Sequence, residues 1–157
     1  MERLEIIERL KHLPDVLAAE VVGLPETTLR YRPAEGEWSI KEVVGHICHS
    51  CEVWQRRLYM VWSMTDPVFI SFDGEAWVRE RGHQDAALGP LLAAAREQRL
   101  KMVDLLSYAV DWTRLGTQPG VGRRTLKQFA EFVLGHDADH LAQIRTLKAA
   151  LAAATAP

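Results

Sequence analysis

From residue 40 onward, apolar side chains recur at steps of three and four: Ile40, Val44, Ile47, Cys51, Trp54, Leu58 and Trp62. That period lines up one stripe of an α-helix, which the pattern carries to about Met64. Ser39 and Glu42 mark its start as an S-x-x-E capping box, each side chain meeting a backbone N–H at the other end. Trp38 before the cap and Val43 after it are spaced as a hydrophobic staple. A second box, Thr125 and Gln128, opens a last helix striped by Leu126, Phe129, Val133, Ile144, Leu147 and Leu151. Between them a helix from about Asp85 to Ala109 carries Leu88, Leu91, Ala95, Met102 and Leu106, with Gly89–Pro90 blurring its start. At the N-terminus Leu4, Ile7 and Leu10 give helical spacing until Pro14 interrupts. The proline predicts a separate helical piece, with Pro14 in its first turn, running to about Val22.

The connections are rich in breakers. Residues 23–37 contain Pro25, Pro33 and Gly36, and residues 65–84 contain Pro67, Gly74 and Gly82, with a short helix around Glu75–Arg81. Residues 111–124, DWTRLGTQPGVGRR, are expected to be loop, because no segment alternates as a strand would. Long helices with one apolar stripe each predict an all-α four-helix bundle. The 157 residues suit a single domain with a real core. Nineteen basic against 21 acidic residues give a net charge of −2, which speaks against a nucleic-acid footprint. No apolar run would span a bilayer, and the N-terminus lacks a signal-peptide core, so a cytoplasmic protein without membrane contact is expected.

Candidate chemistry lies on the helical stripes. His136 and His140, one turn apart, both fall on or beside the apolar stripe of the last helix, with Gln143 one step further. Buried imidazoles need partners for their ring nitrogens. Two such histidines either find local hydrogen bonds within a core or grip a metal, for which i, i+4 is a common ligand spacing. His46 lies on the flank of its own stripe, angled toward a neighbouring helix, and would supply a third ligand. His49 projects away from the stripe and is expected in solvent, while His12 and His83 sit in segments that spacing does not place.

The stretch RYRPAEGEWSIKEVVGHICHSCE, followed after 72 residues by TLKQFAEFVLGHDADHLAQI, resembles the DinB/YfiT-like superfamily of metal-binding four-helix bundles. The matching motifs are W-S-x-x-E-x-x-x-H at Trp38–His46 and H-x-x-x-H-x-x-Q-I at His136–Ile144, with RYRP and Glu75–Trp77 in support. The resemblance implies an up-down-down-up bundle with long irregular connections. It also implies a divalent metal, zinc or nickel foremost, held by His46, His136 and His140. Relatives include thiol transferases that use low-molecular-weight thiols and proteins described as metal-dependent hydrolases, and homodimers are frequent. The chain departs from the family three positions after His46, where His49 replaces a common acidic residue.

A three-histidine site with an open position is the catalytic zinc pattern. It would act on a small-molecule substrate, by hydrolysis through an acidified water or by S-transfer from a bound thiol. No glutamate directly follows His136, which tilts the expectation toward thiol chemistry. Glu52, Gln143 and Asp137 are the candidate catalytic helpers, and a non-catalytic metal-binding bundle acting in a stress or damage response is the alternative. Asp137 falls near the centre of the last stripe, so it would orient a ligand, pair with an arginine or sit at a boundary; Asp139 should face solvent. Cys48 and Cys51 have C-x-x-C spacing but lie in mid-helix, away from the N-terminal dipole that activates redox thiols, and are expected to be core residues. Arg32 and Arg79 could recognise an anion, and Trp62 or Trp77 could line a pocket mouth.

Overall fold

The structure is a computed structural model and describes residues 1–71 and 73–154. Four long helices make the bundle: α1 (Arg3–Val21), α3 (Ile40–Ser63), α5 (Leu88–Tyr108) and α6 (Leu126–Ala154). Two short helices, α2 (Glu26–Leu29) and α4 (Gly74–Glu80), sit in the connections, and a 3-10 turn spans His83–Asp85. Each of α1 and α3 packs against both α5 and α6. Pairings along the helices fix their directions. Arg3 bonds the Ala109 carbonyl and Asp15 pairs with Arg96, so α1 and α5 run antiparallel. Met1 reaches Glu131 and Glu20 reaches Arg145, so α1 and α6 run parallel. His46 faces His136 while Trp54 stacks near Phe129, so α3 opposes α6. The order along the chain is therefore up, down, down, up, as expected.

Both capping boxes form. Ser39 Oγ accepts from the Glu42 amide and Glu42 Oε2 from the Ser39 amide. Thr125 and Gln128 exchange the same pair of bonds at the start of α6. Glu42 is also gripped by the Arg32 guanidinium, which ties the long α2–α3 connection to the first turn of α3. Although burial works to raise its pKa, Arg32 and the Ser39 amide together hold the Glu42 carboxyl below the usual range.

Four expectations are corrected. Pro14 does not divide the N-terminal helix: α1 is continuous, with Ile6, Leu10, Leu13, Leu17 and Val21 buried along one face on both sides of the proline. Losing one backbone bond costs about 3 kcal/mol. Each buried aliphatic side chain is worth about 1.5–3 kcal/mol, so the stripe wins. The buried row is one position out from Leu4, which is exposed. The stripe of α3 likewise ends on Val61, and Trp62 faces outward. Finally, the segment expected as loop folds into an antiparallel hairpin, β1 (Leu115–Gln118) and β2 (Gly122–Thr125). Its turn needs positive φ at Gly120 and Gly122. Its stabilisation is tertiary: Thr117 exchanges backbone bonds with Pro67 and Phe69 of the α3–α4 connection, and Gly116 lies so close to Val61 that a Cβ would be 2.8 Å from its Cγ2.

The core is split in two. One cluster gathers Ile6, Leu10, Leu58, Met102, Leu126 and Phe129; the other gathers Leu17, Val21, Ile40, Val44, Ile47 and Ile144. At the level between them lie Arg99 and Asp137, 1% and 4% exposed. Arg99 Nη2 stands 3.0 Å from Asp137 Oδ1 and 2.9 Å from Oδ2, and also reaches Cys51 Sγ at 3.2 Å.

Candidate metal centre

The capping box sets the rotational phase of α3, and from it His46 emerges two turns into the helix, buried and facing α6. Opposite, α6 presents His136 and His140, both half-buried. One nitrogen from each of the three rings falls within a cluster whose atoms all lie within 4.8 Å of one another. His46 Nε2 and His136 Nε2 approach to 3.0 Å, and Ser50 Oγ lies 3.3 Å from the same His46 nitrogen. His140 Nδ1 meets Gln143 Oε1 at 2.9 Å, and a proton held on Nδ1 by that oxygen would leave the Nε2 lone pair for a ligand. Trp38 stacks near His140 and tilts over His46, walling the cluster on the α2–α3 side.

The electrostatics favour lone pairs over protons. Burial first, then the neighbouring rings of His140 and His136, push the His46 pKa down to about 3. Burial also lowers that of His140. Two neutral imidazoles can hold a 3.0 Å Nε2–Nε2 contact only if one carries its proton there, whereas a cation accepts a lone pair from each. His46 Nδ1 and His136 Nδ1 are buried without hydrogen-bond partners. An all-imidazole set of this kind suits zinc, nickel or another borderline divalent ion.

A cavity of about 270 Å³ opens beside the cluster. His46, Ser50, Trp54 and Arg57 of α3 form one wall, and Phe132 and His136 of α6 another. Gln118 and Pro119 at the hairpin tip and Ser71 and Gly74 complete it. The hairpin thus places its turn over the site, which no strand period had announced. His46, Ser50, Trp54 and Arg57 follow at i, i+4, i+8 and i+11, one row of a helix. Arg57 and Ser50 were legible on that row once His46 was placed inward, yet neither stands out by sequence alone.

The other candidates fall elsewhere. Asp137 pairs with Arg99, and its Oδ1 is 4.0 Å from His136 Nδ1, beyond hydrogen-bond reach. Of the alternatives open for it, pairing with an arginine is what forms. Arg99 itself had a signal, as the charged residue among Ala95, Met102 and Leu106 in the α5 stripe. Glu52 bonds Arg56 in an i, i+4 pair and does not line the cavity. Arg32 is occupied by Glu42, and Arg79 is exposed on α4. Trp62 borders a separate shallow groove with Tyr59 and Tyr108. Trp77 packs edge-on to His49 at 3.9 Å. Cys48 and Cys51 are free thiols. Burial raises both, Cys48 to about 11, the opposite of what redox activation requires.

His49 is a further correction. It is 5% exposed, covered by Trp77 and near His83 from the 3-10 turn, because the α3–α4–α5 connection folds back over that face of α3. Burial lowers the pKa of both rings, that of His49 to about 4. His12 stays on the surface. The seat for His83 is cut by Gly45, where a Cβ would lie 2.3 Å from His83 Cγ and 2.7 Å from its Cβ. Gly45→Ala gains up to about 1 kcal/mol of helix preference. Overpacking costs about 1–3 kcal/mol. A lower urea midpoint is expected, and an unchanged or higher one would show that His83 moves freely.

A four-helix bundle of up-down-down-up order, with three histidines from two facing helices at a cavity, defines a class of helical proteins built around a candidate metal site. The sequence profile of the DinB superfamily matches residues 9–144, and the chain belongs to that superfamily. A Geobacillus thermodenitrificans (strain NG80-2) protein named "Putative metal-dependent hydrolase" is 25% identical over 149 residues, covering 92% of this chain and 83% of that protein. The solved structure of YfiT from Bacillus subtilis, described as a probable metal-dependent hydrolase with an unusual four-helix bundle topology, superimposes with a TM-score of 0.89. It is 22% identical and covers 96% of this chain and 87% of that one, a likeness of fold. Among the described residues no helix is long and apolar enough to cross a membrane.

Proposed function

We propose that the chain is a divalent-metal-dependent enzyme acting on a small molecule, with His46, His136 and His140 as ligands and the cavity beside them as the substrate site. The gathering of three imidazole nitrogens within 4.8 Å of one another, with two of the rings lining a cavity, carries this reading. A divalent ion held there supplies Lewis acidity, acidifying a water or thiol and polarising a carbonyl. The protein's own groups do the rest. His46 and His136 present lone pairs at the cavity, Ser50 offers a hydroxyl beside His46, and Trp54 and Phe132 give the cavity aromatic lining.

The nucleophile we favour is a low-molecular-weight thiol, making the reaction an S-transfer to an electrophile. No carboxylate lines the cavity among the described residues, so the side chains present offer no acidic general base for water. Hydrolysis is the second reading, favoured by the description of both relatives as metal-dependent hydrolases. Purified protein loaded with zinc or nickel, given an aryl electrophile and a panel of thiols, is expected to turn over with at least one thiol and to stop on chelation. Turnover of an ester without added thiol would install hydrolysis instead. Stoichiometric metal with no turnover of either kind would leave a binding protein.

A further inference from the structure

Five charged side chains other than histidine are buried among the described residues: Lys41, Glu42, Arg57, Arg99 and Asp137. Four of them are in ion pairs, Lys41 with Glu26, Glu42 with Arg32 and Arg99 with Asp137. Arg57 is the exception. Its residue is 7% exposed, yet no carboxylate of the described residues lies within ion-pair distance. What it has is one hydrogen bond, from Nη2 to the Ile70 carbonyl at 2.8 Å, and the faces of Trp54 and Phe69 at 4.9 and 5.2 Å. Burial lowers its pKa with no acidic neighbour to offset it, but a guanidinium stays charged in proteins. A buried, unpaired cation is costly and is ordinarily compensated by an anion. Here the group lines the candidate substrate cavity, on the same row of α3 as His46.

We propose that Arg57 is the substrate-binding residue for an organic oxyanion, and that the substrate is a small molecule with a carboxylate at the end remote from its reacting group. Eleven residues of helix separate His46 from Arg57, roughly 16 Å along the axis. An arginine side chain on a helix leans back toward the N-terminus, shortening that gap but not closing it. The anion is therefore held away from the histidine cluster. Trp54 and Phe132 lie in the same cavity and fit an apolar or aromatic section in between. Nη2 spends one of its two N–H groups on Ile70; the other, beside the N–H of a neighbouring guanidinium nitrogen, leaves a planar fork that matches a carboxylate.

The inference rests on the cavity being the substrate site, so the test separates anion recognition from metal chemistry. The probes are 3-phenylpropionate and 3-phenylpropionamide, the same shape with and without the charge. Binding is measured by calorimetry at constant ionic strength on zinc-loaded and on chelator-treated protein, with the indole N–H resonance of Trp54 as the local readout. The expected result is at least tenfold preference for the carboxylate in both forms, with the Trp54 signal shifting. Arg57→Met should erase the preference, and Arg57→Lys, which keeps charge and loses the fork, should retain part of it. A preference below threefold in the chelated protein overturns the proposal, as does one that survives Arg57→Met. A preference found only with zinc means that the carboxylate binds the ion: that outcome overturns the role of Arg57 and supports the metal site. The wild-type comparison decides even if a variant fails to fold.

Discussion

Replacing Arg99 with methionine is expected to destabilise the fold by about 3–5 kcal/mol, because it leaves Asp137 charged and buried without its cation. For a chain of this length that corresponds to a melting temperature lower by roughly 6–20 °C. The size of the effect follows from where the pair sits. Arg99 and Asp137 lie at the junction between two apolar clusters, 1% and 4% exposed, so little water reaches a carboxylate stranded there. Arg99 is also among the largest fully buried side chains, bonded to Cys51 and pointing a second nitrogen at Met102. The pair as such adds little net stability, since desolvating two ions roughly cancels their attraction. The combined variant Arg99→Met, Asp137→Leu should therefore recover most of the loss, which calorimetric melting of all three proteins would reveal. A single variant within about 1 kcal/mol of wild type would mean that water or another cation reaches Asp137.

The second large effect concerns the histidine cluster. Adding zinc or nickel at about a hundredfold excess over its dissociation constant should stabilise the protein by about 2.7 kcal/mol, since the unfolded chain has no preformed cluster. A rise in melting temperature of roughly 5–10 °C is the readout. His136→Ala and His140→Ala should melt near wild type without added ion and show no rise with it. Gln143→Leu frees the ring that Gln143 holds through His140 Nδ1 and should weaken binding about 10–100-fold without abolishing it. Metal analysis of the wild-type protein should give about one ion per chain under the three-histidine assignment. A melting temperature indifferent to both ions, with no other divalent metal bound, would remove the site.

How far the sequence reaches is clear at individual residues. The two capping boxes are local devices, complete within four residues, so their outcome does not depend on the rest of the fold. With the phase of α3 and α6 set by those caps, the inward turn of His46, His136 and His140 follows from counting. Wherever two patterns compete, local information fails. Pro14 signals a break, and only the partners covering both halves of α1 outweigh it. His49 points away from its own helix's stripe, which reads as solvent until α4 and the 3-10 turn are seen to cover it. The hairpin has no apolar alternation, being held by backbone bonds to a loop some fifty residues earlier in the chain.

The sequence by itself determined the helices and their caps, and placed each of the three histidines on an inward-turned face. These depend on periodicity and on contacts within a few residues. The tertiary structure alone decided that Asp137 answers Arg99, that the hairpin tip and the α3–α4 connection complete a cavity beside the histidines, and that Arg57 is buried there without a carboxylate partner among the described residues. Burial and pairing are properties of what surrounds a side chain, and those surroundings come from segments distant in the chain, brought together only when the core closes.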